Sequence, residues 1–217
     1  MQRPSGKQVD SSGVTEEMSA VNRGLKMDPR YEYRPSVPHY DATIPEDAPW
    51  QRKVYALAAK VAAENGLSSV LDIGCGSGEK LIEFLGHLAV CGVEVEPTLS
   101  KLRDKYPSGA WMPPDGFFLT YDLVVCSDVI EHVDDPMTII GSIRKASPKF
   151  IVMSTPDRLL VPGAKTLGPP VNKHHVREWT FSEFNEFVSS HFRVVQHLSI
   201  PEQFAQVVVA VPYEATS

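Results

Sequence analysis

The sequence predicts an α/β fold: a doubly wound, mostly parallel sheet with a C-terminal antiparallel hairpin strand. Three observations predict it. Short buried-strand runs alternate with helical segments between residues 68 and 190, and repeated β-α alternation implies a parallel sheet with helices on both faces. A glycine-rich turn, GCGSG, joins the first such strand to its helix. Near the end, FRVVQHLSI and QFAQVVVAVP are joined by a short connection containing Pro201, the pattern of a hairpin added at one side of a parallel sheet.

A chain of 217 residues suits one domain with a full core. Residues 1–28 are polar, rich in Ser, Gly and Lys, and show no sustained period, so they are expected to form a mobile leader. Residues 29–48 combine prolines with Tyr31, Tyr33, His39 and Tyr40, which reads as an extended arm able to cover a pocket. The domain proper is expected over 49–217. From Pro49 the apolar positions Trp50, Val54, Leu57, Ala58, Val61 and Ala62 follow helical spacing until Asn65-Gly66 stops the helix.

The strand SSVLDIG and helix EKLIEFLGHL follow. The unit repeats as LAVCGVEV with PTLSKLRDKY, as YDLVVCSD with VIEHVDDPMTIIGSIRKA, and as KFIVMST with a long loop and the helix TFSEFNEFVSS.

Composition narrows the function classes. The net charge is −6 with no extended Lys/Arg block, which disfavours nucleic acid as a partner. No apolar run reaches the roughly 18 residues that span a bilayer, and the start lacks the apolar stretch of a secretory signal. Membrane insertion is not expected, and the expected location is the cytoplasm. Cys75, Cys91 and Cys126 form no CxxC pair, arguing against a disulfide framework and a thiolate zinc site.

The first strand-to-helix turn carries the strongest chemical signal. Gly74, Gly76 and Gly78 alternate after Asp72, letting backbone approach a ligand at the carboxyl end of a strand. Glu94 closes the second strand in GVEVEP, where a carboxylate can accept hydrogen bonds from both hydroxyls of a ribose. Two competing readings are a turn whose glycines serve packing only and a dinucleotide site. NAD requires GxGxxG so that a pyrophosphate meets the helix start, whereas this turn is GxGxG.

On VLDIGCGSG, GVEVEP, YDLVVCSDVIEHVDDP and the terminal hairpin, residues 50–211 resemble the class I methyltransferases dependent on S-adenosyl-L-methionine (SAM), particularly the branch with ubiquinone-biosynthesis O-methyltransferases. The resemblance implies a Rossmann-like fold and SAM as cofactor. It places Gly74, Gly76 and Gly78 along SAM, Glu94 on the ribose, Asp72 orienting the aminoacyl end through the loop, and Ser127 and Asp128 near the sulfonium. The region after the third strand, GAWMPPDGFFLTYD, departs from the family pattern, leaving Asp115, Met112 or a backbone group for the adenine.

Methyl transfer requires alignment of an acceptor, exclusion of water and removal of a proton from a hydroxyl nucleophile. Asp128, Glu131 and His132 are spaced i, i+3 and i+4, sharing one face if they open a helix. The long loop PDRLLVPGAKTLGPPVNKHHVREWT brings His174 and His175. The pairing of DVIEH with HHVREWT is similar to small-RNA terminal 2′-O-methyltransferases. That likeness implies a divalent-metal site, Mg²⁺ or Mn²⁺, at Glu131, His132 and His175, with Asp128 in place of the usual glutamate.

The plainer alternative has Glu131 capping the helix start and His132 packing locally. Without metal, His132 or His175 is the expected general base, with His174 beside them. Arg177 and Glu178 can pair with each other or serve the loop. The Tyr31, Tyr33 and Tyr40 cluster suits packing better than acceptor stacking. Three functions follow: O-methylation of a small-molecule hydroxyl in a biosynthetic pathway, RNA 2′-O-methylation, and SAM binding without catalysis. The sequence sets neither the acceptor nor an oligomeric state.

Overall fold

The computed structural model describes residues 14–35, 37, 50–117 and 120–214. Its strands are β1 (Ser69–Ile73), β2 (Ala89–Val93), β3 (Ala110–Met112), β4 (Leu123–Ser127), β5 (Phe150–Pro156), β6 (Arg193–Ile200) and β7 (Ala205–Val211). They form one sheet in the order β3-β2-β1-β4-β5-β7-β6. β1 to β5 are parallel, and β7 runs antiparallel to both β5 and β6. The C-terminal hairpin is antiparallel as expected. Its reversed strand is β7, which lies inside the sheet and leaves β6 at the edge.

Helices α1 (Glu16–Gly24), α2 (Arg52–Glu64), α3 (Glu79–Leu85), α4 (Thr98–Lys105), α5 (Met137–Ala146) and α6 (Phe181–Ser189) cover the sheet. The strand period of two sorts the side chains between two cores. Leu123 and Val125 of β4 join Val54 and Ala58 of α2, Leu81 of α3 and Leu102 of α4. Val124 and Cys126 face the other way, toward Ile140 and Ile143 of α5 and Phe184 and Phe187 of α6. Burial on both faces is why these strands read as unbroken apolar runs.

Two boundaries differ from the sequence reading. α2 begins at Arg52 rather than Pro49, because Gln51 takes a left-handed conformation before the first turn; Pro49 itself lies outside the described residues. Trp50 is thereby removed from the buried helical face and lies 45% exposed beside Phe204. The 3-10 turn Ile130–His132 separates β4 from α5, so the expected continuous helix from Val129 is broken.

Of the expected leader, residues 14–28 contain α1 and contacts to the core, and residues 1–13 lie outside the described residues. Thr15 caps α1 by accepting from the Met18 N–H. Asn22 is fully buried and donates to the Tyr31 carbonyl at 2.7 Å. Leu25 and Met27 enter the core, and the Trp179 indole donates to the Leu25 carbonyl. The anchoring group inside α1 is a polar amide, which gives no apolar periodicity to read. His39 and Tyr40 of the expected arm also lie outside the described residues.

One polar pair is buried between α2 and β1. The Tyr55 hydroxyl donates to Asp72 Oδ2 at 2.7 Å, while Asp72 Oδ1 has no hydrogen-bond partner. Burial raises the Asp72 carboxyl from the ordinary 3.8 to about 7, the Tyr55 hydrogen bond pulling it back and the Glu94 charge adding to the rise. A carboxyl raised on folding contributes full stability below its unfolded pKa and loses it as pH climbs toward 7. Asp72→Asn should therefore gain about 2–3 kcal/mol on the wild type between pH 5 and pH 8. Denaturant unfolding at the two pH values measures this; a constant difference refutes the assignment.

Candidate active site

A cavity of about 620 Å³ opens at the carboxyl ends of β1, β2 and β4. It lies where the strand order turns from β2-β1 to β4, the usual place for a ligand in an open α/β sheet. Its floor is the glycine turn. Gly74, Gly76 and Gly78 all have positive φ, at 74°, 55° and 74°, a conformation that penalises any residue with a Cβ.

The three glycines differ in what surrounds them. A Cβ on Gly74 would sit 2.3 Å from Val129, and one on Gly78 would meet Leu102 at 2.8 Å and Trp111 at 3.2 Å. At Gly76 it would meet nothing within 4 Å, so this backbone faces open cavity. Gly74 and Gly76 line the cavity; Gly78 does not, and serves instead to bring the start of α3 against α4 and β3.

Glu94 closes the floor. Its Oε2 accepts from the Gly76 N–H and its Oε1 from the Val95 N–H, each at 2.8 Å. These bonds aim a carboxylate along the cavity. The site residues fit an adenosine: an open backbone cradle adjoins an oriented carboxylate. Beyond Glu94, Pro114 and Asp115 line the cavity and Met112 does not; Met112 packs against the core.

At the other end stand Ser127 and Asp128, with Gln51, Tyr55 and Lys80 facing them. The Ser127 carbonyl accepts from the Gln51 amide at 3.2 Å. Asp72 is buried beneath this end, outside the cavity wall. The spacing argument for Asp128, Glu131 and His132 does not hold, because Asp128 has φ 53° and precedes a 3-10 turn. Its carboxylate turns to β5 and accepts from the Ser154 hydroxyl at 2.8 Å, and burial raises its pKa.

The structure does bring Glu131, His132 and His175 together, with one ligand-type atom from each within 4.8 Å of the others. Asp128 is not in this group. Glu131 is fully buried; Oε2 accepts from the Thr155 hydroxyl, Oε1 has no hydrogen-bond partner, and burial holds its carboxyl well above the ordinary range. His132 Nδ1 donates to the His174 carbonyl at 2.9 Å. Its Nε2 lies 4.0 Å from Glu131 Oε1.

His175 Nδ1 bonds Glu178 Oε1 at 2.6 Å, and its Nε2 faces the Asn172 amide nitrogen at 2.9 Å. His132 and His174 line the cavity, whereas Glu131 and His175 stand behind them. Buried carboxylate oxygen and imidazole nitrogen form a donor set suited to a divalent cation. The Asn172 amide competes for the His175 lone pair and would have to swing aside.

Arg177 and Glu178 do not pair with each other. Arg177, 1% exposed, donates to the Val133 and Asp134 carbonyls at 3.0 and 2.8 Å and lies over the Tyr33 ring. The Val176 N–H donates to the Glu131 carbonyl at 2.8 Å, so the histidine loop is stitched directly to the 3-10 turn. From behind, Tyr31 accepts from the Glu178 N–H, and Arg34 donates to the Asn172 and Pro170 carbonyls. Tyr31 and Tyr33 pack; Tyr40 lies outside the described residues. Sequence reasoning missed Gln51 and Lys80. Their signal was position, just before α2 and on the first turn after the glycine loop.

Solved structures with this architecture include the methyltransferase domain of a bacterial Hen1 protein, CtHen1-C (20% identity, TM-score 0.57, covering 75% of this chain and 98% of that one). The N-methyltransferase NodS from Bradyrhizobium japonicum, in complex with S-adenosyl-L-homocysteine (SAH), is similar over 94% of this chain and 100% of its own (15% identity, TM-score 0.61). The mitomycin 7-O-methyltransferase MmcR is similar over 75% of this chain and 54% of its own (20% identity, TM-score 0.57). No curated protein sequence matches the chain. The methyltransferase-domain family matches residues 43–207, from ahead of α2 into β7. Across that span, with the cavity at the carboxyl edge of its sheet, the chain belongs to the methyltransferase-domain family and is a class I SAM-dependent methyltransferase.

Proposed function

We propose that the chain methylates a hydroxyl of a small biosynthetic molecule, assisted by a divalent cation at Glu131, His132 and His175. The observation that carries this reading is the unpartnered Glu131 Oε1, fully buried beside two imidazoles whose Nδ1 atoms are engaged elsewhere. A buried oxygen without a partner is costly, and a cation is the partner that two imidazole nitrogens and a carboxylate would share. Asp128, turned to Ser154, is left out of that set.

SAM, when bound, supplies a methyl group on a positively charged sulfur. Glu94 would hold the ribose, Gly74 and Gly76 the backbone cradle, Asp115 the adenine edge, and Ser127 and Asp128 the sulfonium side. Glu94, Asp115, Asp128 and Asp134 give the cavity wall four carboxylates against one lysine, a field that favours a cationic ligand. A divalent cation, when bound, would lower the pKa of the acceptor hydroxyl. With no cation bound, His132 Nε2 would instead take that proton as general base, its tautomer set by the His174 carbonyl. Val129, Val133 and Ile139 keep water from the transfer.

The same wall argues for a small acceptor over a polyanion. The alternative acceptor is an RNA ribose 2′-hydroxyl, supported by the Glu131, His132 and His175 grouping and by the likeness to the CtHen1 domain. Loss of acceptor activity from a cell extract after ribonuclease treatment would select it.

Two measurements test the reading without a known acceptor. Glu94→Ala should weaken SAH binding by about 1–3 kcal/mol in calorimetry, and unchanged affinity would remove Glu94 from the ribose. Wild-type protein should bind Mn²⁺, with affinity falling about 10- to 100-fold in Glu131→Gln or His175→Ala; equal Mn²⁺ binding in all three would refute the metal site. Once an acceptor is found, full turnover in chelator would reject cation assistance, and full turnover in His132→Ala would reject the base.

A further inference from the structure

SAM carries two positive groups, the sulfonium and the α-ammonium, and one negative group, the α-carboxylate. The cavity repeats this imbalance in reverse. Among its described lining residues, Glu94, Asp115, Asp128 and Asp134 are acidic and Lys80 alone is Lys or Arg. Lys80 sits on the first turn of α3, two residues past Gly78. It is at the end of the cavity walled by Gln51, Tyr55 and Asp128, across β1 from Glu94 and Pro114.

The charged groups around Lys80 are Asp128, Asp72, Glu79 and Arg52. None comes within ion-pair or hydrogen-bond distance of its ammonium among the described residues. Asp72 is bonded to Tyr55 and Asp128 to Ser154. A half-buried ammonium held near carboxylates but bonded to none is poised for an anion brought from outside.

We propose that Lys80 is the counter-ion for the α-carboxylate of the bound methionyl group, and so determines recognition of that end of the cofactor. The proposal rests on the reading that SAM occupies this cavity with its ribose on Glu94. Glu94 fixes the direction: with the adenosine toward Val95 and Asp115, the aminoacyl tail extends toward Lys80. Asp128 and the Ser127 carbonyl, on the facing side of that end, suit the α-ammonium.

Calorimetry with three ligands separates this role from a structural one. SAH has the carboxylate, decarboxylated S-adenosylmethionine keeps the amine without it, and 5′-methylthioadenosine lacks the whole tail. Lys80→Met should weaken SAH about tenfold or more and leave the two carboxylate-free ligands within about twofold. Lys80→Arg, which keeps the charge, should restore part of the SAH affinity. Equal weakening of all three ligands would mean that Lys80 only balances Asp72 and Asp128, and would overturn the proposal, as would unchanged SAH binding. Failure of wild-type protein to bind SAH or 5′-methylthioadenosine would instead overturn the cavity assignment itself.

Discussion

The Glu94 carboxylate bridges the Gly76 and Val95 amides, and the rest of the site is arranged around that bridge. A turn with three glycines in left-handed conformations loses much chain entropy on ordering. Two charge-assisted hydrogen bonds offset part of that cost, and the Gly74 and Cys75 N–H groups add bonds to the Val93 carbonyl. The end of β1 is thereby tied to the end of β2, and the cavity floor is set before any ligand arrives. The same charge has a penalty: it adds to the upward shift of the buried Asp72 carboxyl.

How much could be read from residues alone depended on what each element buries. β1, β4 and β5 have apolar side chains on both faces, and their positions were legible from apolar runs. The glycine turn and Glu94 were legible because turn chemistry and strand-end acidity are local signals. α1 was not, since its buried residue is Asn22, whose partner is the Tyr31 carbonyl. The turn after β4 was misread for another reason: i, i+3, i+4 spacing assumes α geometry, and Asp128 adopts the left-handed region that aspartate tolerates better than most residues. Lys80 was passed over because a lysine on a first helical turn usually faces water.

Carboxyl groups raised by burial surround the cavity. Asp72 lies beneath it, Asp128 in its wall and Glu131 behind His132. Each costs folding free energy when ionised. Such a concentration at the carboxyl edge of the sheet, and not in its two apolar cores, fits a site whose stability is exchanged for affinity toward positive ligands. Ser154 and Tyr55 moderate the cost with single hydrogen bonds.

The wall that bears His174 and His175 is held from behind by residues made far apart in time. Tyr31 bonds Glu178 across 147 positions, Leu25 receives the Trp179 indole across 154, and Asp28 binds Glu183 across 155. On a ribosome, the earliest of these residues must wait for the last third of the chain before they can dock. β1 to β4 and their helices can close their nearer contacts first. The histidine wall is then among the last parts of the molecule to assemble, so a stalled or prematurely terminated product would carry the glycine turn and Glu94 without the wall that bears His174 and His175.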